Sequence, residues 1–164
     1  MADLELLGHF NSYVGVGEAA RRLASLLTAS GFGLSIGTFG KGSKMSTGDL
    51  ELGRIQGEAA STVVSCVNPD QLGALLADNP KLLVQPINHI GFWAWELPDF
   101  PHVFQSAFSM VDSVWTVSDF AARAISKNSN VSVSKVRLPV PLPSRISKGN
   151  RRHFGIPEKD FVVL

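Results

Sequence analysis

Apolar positions along this chain keep two rhythms. Short, nearly continuous apolar runs alternate with longer stretches in which apolar residues recur at every third or fourth place. The runs at residues 4–10, 34–39, 62–67, 88–95, 113–117 and 131–138 predict strands. Between the first two, Ala20, Leu23, Ala24 and Leu27 form one buried stripe of a helix over residues 17–30, with Glu18, Arg21, Arg22 and Ser25 off it. Glu18 suits the first turn, and Gly31 is placed as the residue just past the end. Asn68 is a candidate cap for a second helix, which opens on Pro69, carries Leu72, Leu75 and Leu76, and stops at Asn79 and Pro80. Pro86 bars a central strand through its own position, so the next strand starts at 88. After a turn at 98–101, residues 102–111 predict a helix with Val103, Phe104, Ala107, Phe108 and Val111 on its apolar face. Ser118 is placed to cap a further helix over 119–127.

Strands alternating with helices predict an α/β domain, a Rossmann-like parallel sheet flanked by helices, over residues 1–138. The Gly/Ser/Lys loop 40–48 and the stretch 51–60 carry no decisive rhythm. Residues 139–150 are Pro-rich, then basic and polar, which is linker composition. Phe161, Val162, Val163 and Leu164 read as an opening strand with no sheet to join in the first domain. Residues 151–164 are therefore expected to begin a second domain, the alternative being a fold-back onto the first domain's edge.

Composition narrows the function classes. The chain has 164 residues, with 15 Lys and Arg against 14 Asp and Glu. That balance gives no electrostatic footprint for nucleic acid. The lone cysteine, Cys66, lies in an apolar run and reads as a buried small hydrophobe, which weakly favours a reduced, cytoplasmic setting. The acidic start lacks the basic n-region of an export signal, and no apolar stretch nears the roughly 20 residues of a membrane helix. No His/Cys/Asp cluster has metal-ligand spacing and no Gly-x-Ser-x-Gly elbow appears, so neither a metal site nor a serine hydrolase is expected.

Two clusters carry candidate chemistry. Gly15, Val16 and Gly17 lie between a strand and a helix, where glycines admit a ligand to the backbone and a helix start offers free N–H groups. A diphosphate is a natural guest; a tight turn with close helix–sheet packing is the plainer alternative. The same residues match the Gly-x-Gly-x-x-Ala dinucleotide fingerprint, but Gly40, Lys41, Gly42 and Ser43 follow the second strand where an acid would hold a ribose. Lys41 leaves an NADP-type oxidoreductase open. The second cluster is Trp93, Trp95 and Glu96 at the end of a strand. Alternation puts the tryptophans on one face and Glu96 on the other, at the sheet edge where ligands bind. Glu96 could take an acceptor proton, or bond nearby backbone N–H groups; each tryptophan could be a sugar platform or core. His9 ends the first strand and could face a cleft, while His102 and His153 read as surface residues. Arg21 and Arg22 could pair with acids on a solvated face or attract phosphates.

Three blocks resemble the family 4 retaining glycosyltransferases of GT-B architecture: Gly15 to Arg21, Asn88 to Pro101 with its Trp-x-Trp-Glu-Leu-Pro core, and Val111 to Phe120. The closing Phe154-Gly155-Ile156-Pro157 and Asp160 to Leu164 are similar to the lead-in to that family's C-terminal domain. The resemblance implies a two-domain hexosyltransferase of polysaccharide biosynthesis. It would move a sugar, with retention, from a nucleoside-diphosphate sugar to a glycan or lipid-linked acceptor, without a further cofactor. It implies donor-diphosphate binding at Gly15, Val16 and Gly17, catalytic roles for Glu96 and His89, and acceptor contacts from Asn88, Trp93, Trp95, Ser118, Asp119 and Arg21. Ser118 also reads as a plain helix cap, and His89 as a satisfied polar residue at a strand start. The family's Glu-x7-Glu element falls in the C-terminal domain, so the chain alone is expected to be inactive. A cytoplasmic setting, with weak peripheral attachment to the inner membrane face, suits a lipid-linked acceptor. A non-catalytic binding module is the alternative from a different class.

Overall fold

Six parallel strands form one sheet in the order β2-β1-β3-β4-β5-β6. They are β1 (Leu4–Gly8), β2 (Leu34–Thr38), β3 (Thr62–Cys66), β4 (Asn88–Phe92), β5 (Ser113–Thr116) and β6 (Ser132–Lys135). The structure is a computed structural model and describes residues 3–40, 60–84, 87–140 and 150–163. Lys41, Pro86, Leu164, residues 51–59 and most of the linker, 141–149, lie outside the described residues. The α/β Rossmann-like expectation holds.

Helices cover both faces. On one, α1 (Gly15–Ala29) buries Ala20, Leu23 and Ala24 against Leu6, Val64 and Ile90. Its end is a Schellman motif: Gly31 at φ +89 donates to Thr28 O and Phe32 donates to Leu27 O, so a left-handed glycine stops the helix as expected. The other face is covered by α2 (Pro69–Asp78), the single turn α3 (Lys81–Val84), a 3₁₀ segment His102–Met110 and α4 (Asp119–Ser126). On the α1 face Cys66 is buried among apolar groups, and loss of solvent pushes its thiol up to about 12.

Four expectations need correction. Residues 102–110 are 3₁₀ rather than α, so the period is three. Phe104, Ala107 and Met110 stack on one face, and Val103, expected inside, shares the outer face with Ser106 and Ser109 and is 75% exposed. Asn68 stands at the cap position of α2 but makes no cap bond with its side chain; its Oδ1 accepts the Ala94 N–H at 2.9 Å. That diverted oxygen marks the third difference: β4 stops at Phe92, not at 95, because the Ala94 N–H finds a side chain where the ladder would supply a carbonyl. Finally, residues 161–163 are not a strand. The segment from 150 makes a short 3₁₀ turn, Arg151–Phe154, held by bonds within itself, and Phe161 and Val163 face solvent.

Candidate functional site at the carboxyl edge of the sheet

Because every strand runs the same way, Gly8, Thr38, Cys66, Phe92, Thr116 and Lys135 all end at one edge. Strand order reverses at β1, which lies between β2 and β3, and that switch point is where open α/β sheets form their ligand crevice.

Helix α1 begins at this crevice. Its cap residue, Val14, has no side chain able to accept, and the first ladder bond runs from the Glu18 N–H to Val14 O at 3.0 Å. The N–H groups of Gly15, Val16 and Gly17 therefore have no acceptor among the described residues. The two glycines do different work. A Cβ on Gly15 would meet nothing within 4 Å, whereas one on Gly17 would stand 2.5 Å from His9 O and 3.0 Å from Ser12 O. Gly15 is the open approach; Gly17 lets the helix close on the loop.

Arg21 holds that loop. Its Nη1 donates to Phe10 O at 3.1 Å and Ser12 O at 3.0 Å, while Nε and Nη2 reach Glu18 Oε2. It is buried, not on a solvated face, and these bonds occupy four of its five N–H donors. Its place is under the loop, with most of its donors engaged there. Arg22 makes the exposed pair with Glu18 at 2.8 Å. Both arginines hold the Glu18 carboxyl below the usual carboxylate range, the Arg22 hydrogen bond first.

Glu96 follows β4 at the same edge, two strand spacings from β1, or about 10 Å. It is exposed and makes no hydrogen bond or ion pair with any described residue. The tryptophans beside it face inward. Trp93 is fully buried, stacked on Phe100 at 5.9 Å and 9°. Trp95 tilts onto Phe100 at 5.0 Å and donates its indole N–H to Asp99 O at 3.1 Å, closing the turn. Trp93 is aromatic core, and Trp95, partly buried, packs against that core.

Asn88 and His89 do not reach this edge. Asn88 opens β4 in register with Thr62, the first residue of β3. His89 lies three residues, about 10 Å, short of the strand's end. Its imidazole is buried and both nitrogens are engaged: Nδ1–H donates to Met110 O at 2.7 Å, which leaves Nε2 to accept from Ser65 Oγ at 2.6 Å. Ser65 and His89 have the spacing of a nucleophile and its base, yet Ser65 is sealed in the core. Burial lowers the His89 pKa, opposed by the Met110 bond and the Asp112 charge. The native state thus binds fewer protons than the unfolded chain. Its stability should be full above the unfolded value, about 6.5, and fall as pH drops toward the depressed one. Urea unfolding between pH 7.5 and 5.5 should show that loss, and His89→Gln should flatten it; Glu18 and Asp119 act only in the lower carboxylate range.

Ser118 caps α4, accepting the Ala121 N–H at 3.1 Å. Asp119 pairs with Lys135 at 2.5 Å, and that hydrogen bond lowers its pKa. Both sit at the correct edge with their side chains already engaged. His9 and Gln71 meet at the switch point, His9 Nε2 lying 3.0 Å from Gln71 Oε1. Gln71 had no signal in the sequence, since a polar residue in a first helical turn looks like ordinary surface. His102 and His153 are exposed, as expected.

Among the described residues no three His, Cys, Asp or Glu side chains converge as metal ligands, and no helix is long and apolar enough to cross a membrane. No protein-family model matches the chain, and no curated protein matches it.

Proposed function

We propose that this chain forms the acceptor-side wall of a retaining glycosyltransferase, with a nucleoside-diphosphate sugar as donor and a glycan or lipid-linked hydroxyl as acceptor. One observation carries the proposal: three consecutive N–H groups, at Gly15, Val16 and Gly17, open a helix at the sheet's switch point without acceptors among the described residues. Such a helix start suits an anionic oxygen through both its free donors and its positive end. A leaving diphosphate develops negative charge that these preset donors would stabilise. Glu96 supports the proposal as an exposed carboxylate on the same edge with no partner among the described residues, which would suit it to bond an acceptor hydroxyl. Its partner across the cleft would be the family's C-terminal domain, expected from the resemblance of residues 151–164.

Gly15→Pro tests the diphosphate site with little structural cost. Proline is favoured at a helix's first position, and Val14 already has the extended backbone, ψ 154, that a following proline requires. The substitution removes one free N–H and nothing else from the helix. Affinity for pyrophosphate and for uridine diphosphate, measured by calorimetry on the full chain, should fall roughly tenfold, the worth of one charge-assisted hydrogen bond. Unchanged affinity in a variant of unchanged melting temperature would remove the helix start from the site.

A further inference from the structure

The two core-proximal histidines differ in one respect. His89 has both ring nitrogens engaged, as a purely structural histidine requires. His9, only partly buried, has one. Gln71 Oε1 can only accept, so His9 Nε2 carries the proton and donates to it. The Nδ1 lone pair has no partner among the described residues.

Three elements hold that ring at the crevice. His9 itself follows the end of β1, Gln71 comes from the first turn of α2 beyond β3, and Phe39, after β2, lies 5.3 Å away at 55°. Gly40 then passes over the ring edge at φ +83, and a Cβ there would stand 3.1 Å from Cε1 and 3.2 Å from Nδ1. A side chain at position 40 would thus crowd the nitrogen that is free, and the left-handed backbone also favours glycine. The His9 carbonyl packs against Gly17, so the residue that carries this ring also borders the start of α1.

A nitrogen acceptor on the residue that borders a set of anion-binding donors suits a ligand that carries both a hydroxyl and a phosphate. We propose that His9 Nδ1 accepts a hydrogen bond from a hydroxyl of the sugar ligand at the crevice between β1, β2 and β3, with Gln71 fixing the tautomer. The ligand class rests on the glycosyltransferase reading; the free lone pair does not.

The test titrates the full chain, labelled with ¹⁵N at histidine, with methyl α-D-glucopyranoside and separately with sodium pyrophosphate. The glycoside should bind saturably, and the His9 Nδ1 resonance should move to lower frequency as its lone pair becomes hydrogen-bonded. His9→Phe keeps a ring and should weaken glycoside binding at least tenfold. His9→Asn sets an amide oxygen near the place of Nδ1 but loses the Gln71 bond, and should stay within about threefold of the parent. Equal losses in the two folded variants would show that His9 acts through Gln71, and would overturn the proposal. So would glycoside binding without movement of Nδ1, or no glycoside binding at all. Pyrophosphate separates the two claims: if it fails to bind while the glycoside still shifts Nδ1, the diphosphate site falls and the His9 contact stands.

Discussion

Trp93→Ala should lower the stability of the fold by about 3–5 kcal/mol, the range for truncating a buried aromatic side chain. The indole is fully buried, stacked on Phe100 and tilted against Phe108 at 5.4 Å. Phe100 also meets Trp95, Phe104 and Phe108, so the truncation opens a void against the central ring of a cluster of five aromatic residues with little freedom to collapse. Trp93→Phe should cost far less, under about 1.5 kcal/mol. It keeps an aromatic plane and removes an indole N–H that has no acceptor among the described residues, itself a standing penalty. The same N–H lies over Gly91, where a Cβ would approach Nε1 to 2.6 Å, which is why a glycine interrupts an otherwise bulky strand. Urea unfolding at constant m-value measures both variants. A loss below about 1 kcal/mol for Trp93→Ala would mean that the cluster is not what anchors residues 93–96, and Glu96 with them.

The sheet was legible because its central strands, β1, β3 and β4, are mostly buried and read as apolar runs, and because right-handed crossovers leave few topologies. Gly31 was legible as a helix stop for a local reason: the residue after a helix needs a left-handed backbone. The 3₁₀ segment was not, since Phe104 and Ala107 satisfy periods of three and of 3.6 alike over so short a stretch. Only the position of Val103 tells the two apart.

The site was legible in part. Gly15 and Val16 follow from a glycine-rich strand-to-helix turn, and Glu96 from its place after a strand. Asn88 and His89 could have been set aside from strand direction alone, because residues that open a parallel strand lie at the opposite edge from those that follow its end. What no local pattern could show is engagement at long range. The partners of His89 are Ser65 and Met110, Asn68 reaches Ala94, and Gln71 reaches His9. Each bond joins positions more than twenty residues apart, and each decides whether a polar side chain is free for a ligand.

Gly17→Val should unfold the protein more readily rather than disarm it. The sequence alone allowed two roles for the pair of glycines, close ligand approach or close packing, and the backbone divides them. At position 17 the first side-chain atom would enter the contact distance of two main-chain carbonyls, His9 O and Ser12 O, with Arg21 Nη1 at 3.4 Å behind them. Ser12 O already accepts from Arg21, and the His9 segment is tied into β1, so neither carbonyl can swing aside without opening the loop that Arg21 closes. The expected cost is about 3 kcal/mol, at the upper end of overpacking penalties, and it should appear as a lowered urea midpoint. Gly15→Ala, facing open space, should stay within about 0.5 kcal/mol of the parent. Pyrophosphate affinity of the folded fraction then decides the matter. If Gly17→Val keeps its stability but loses pyrophosphate, the ligand passes over Gly17 itself and the division of labour between the two glycines is wrong. If stability falls while the folded fraction still binds, Gly17 packs the helix and Gly15 receives the ligand.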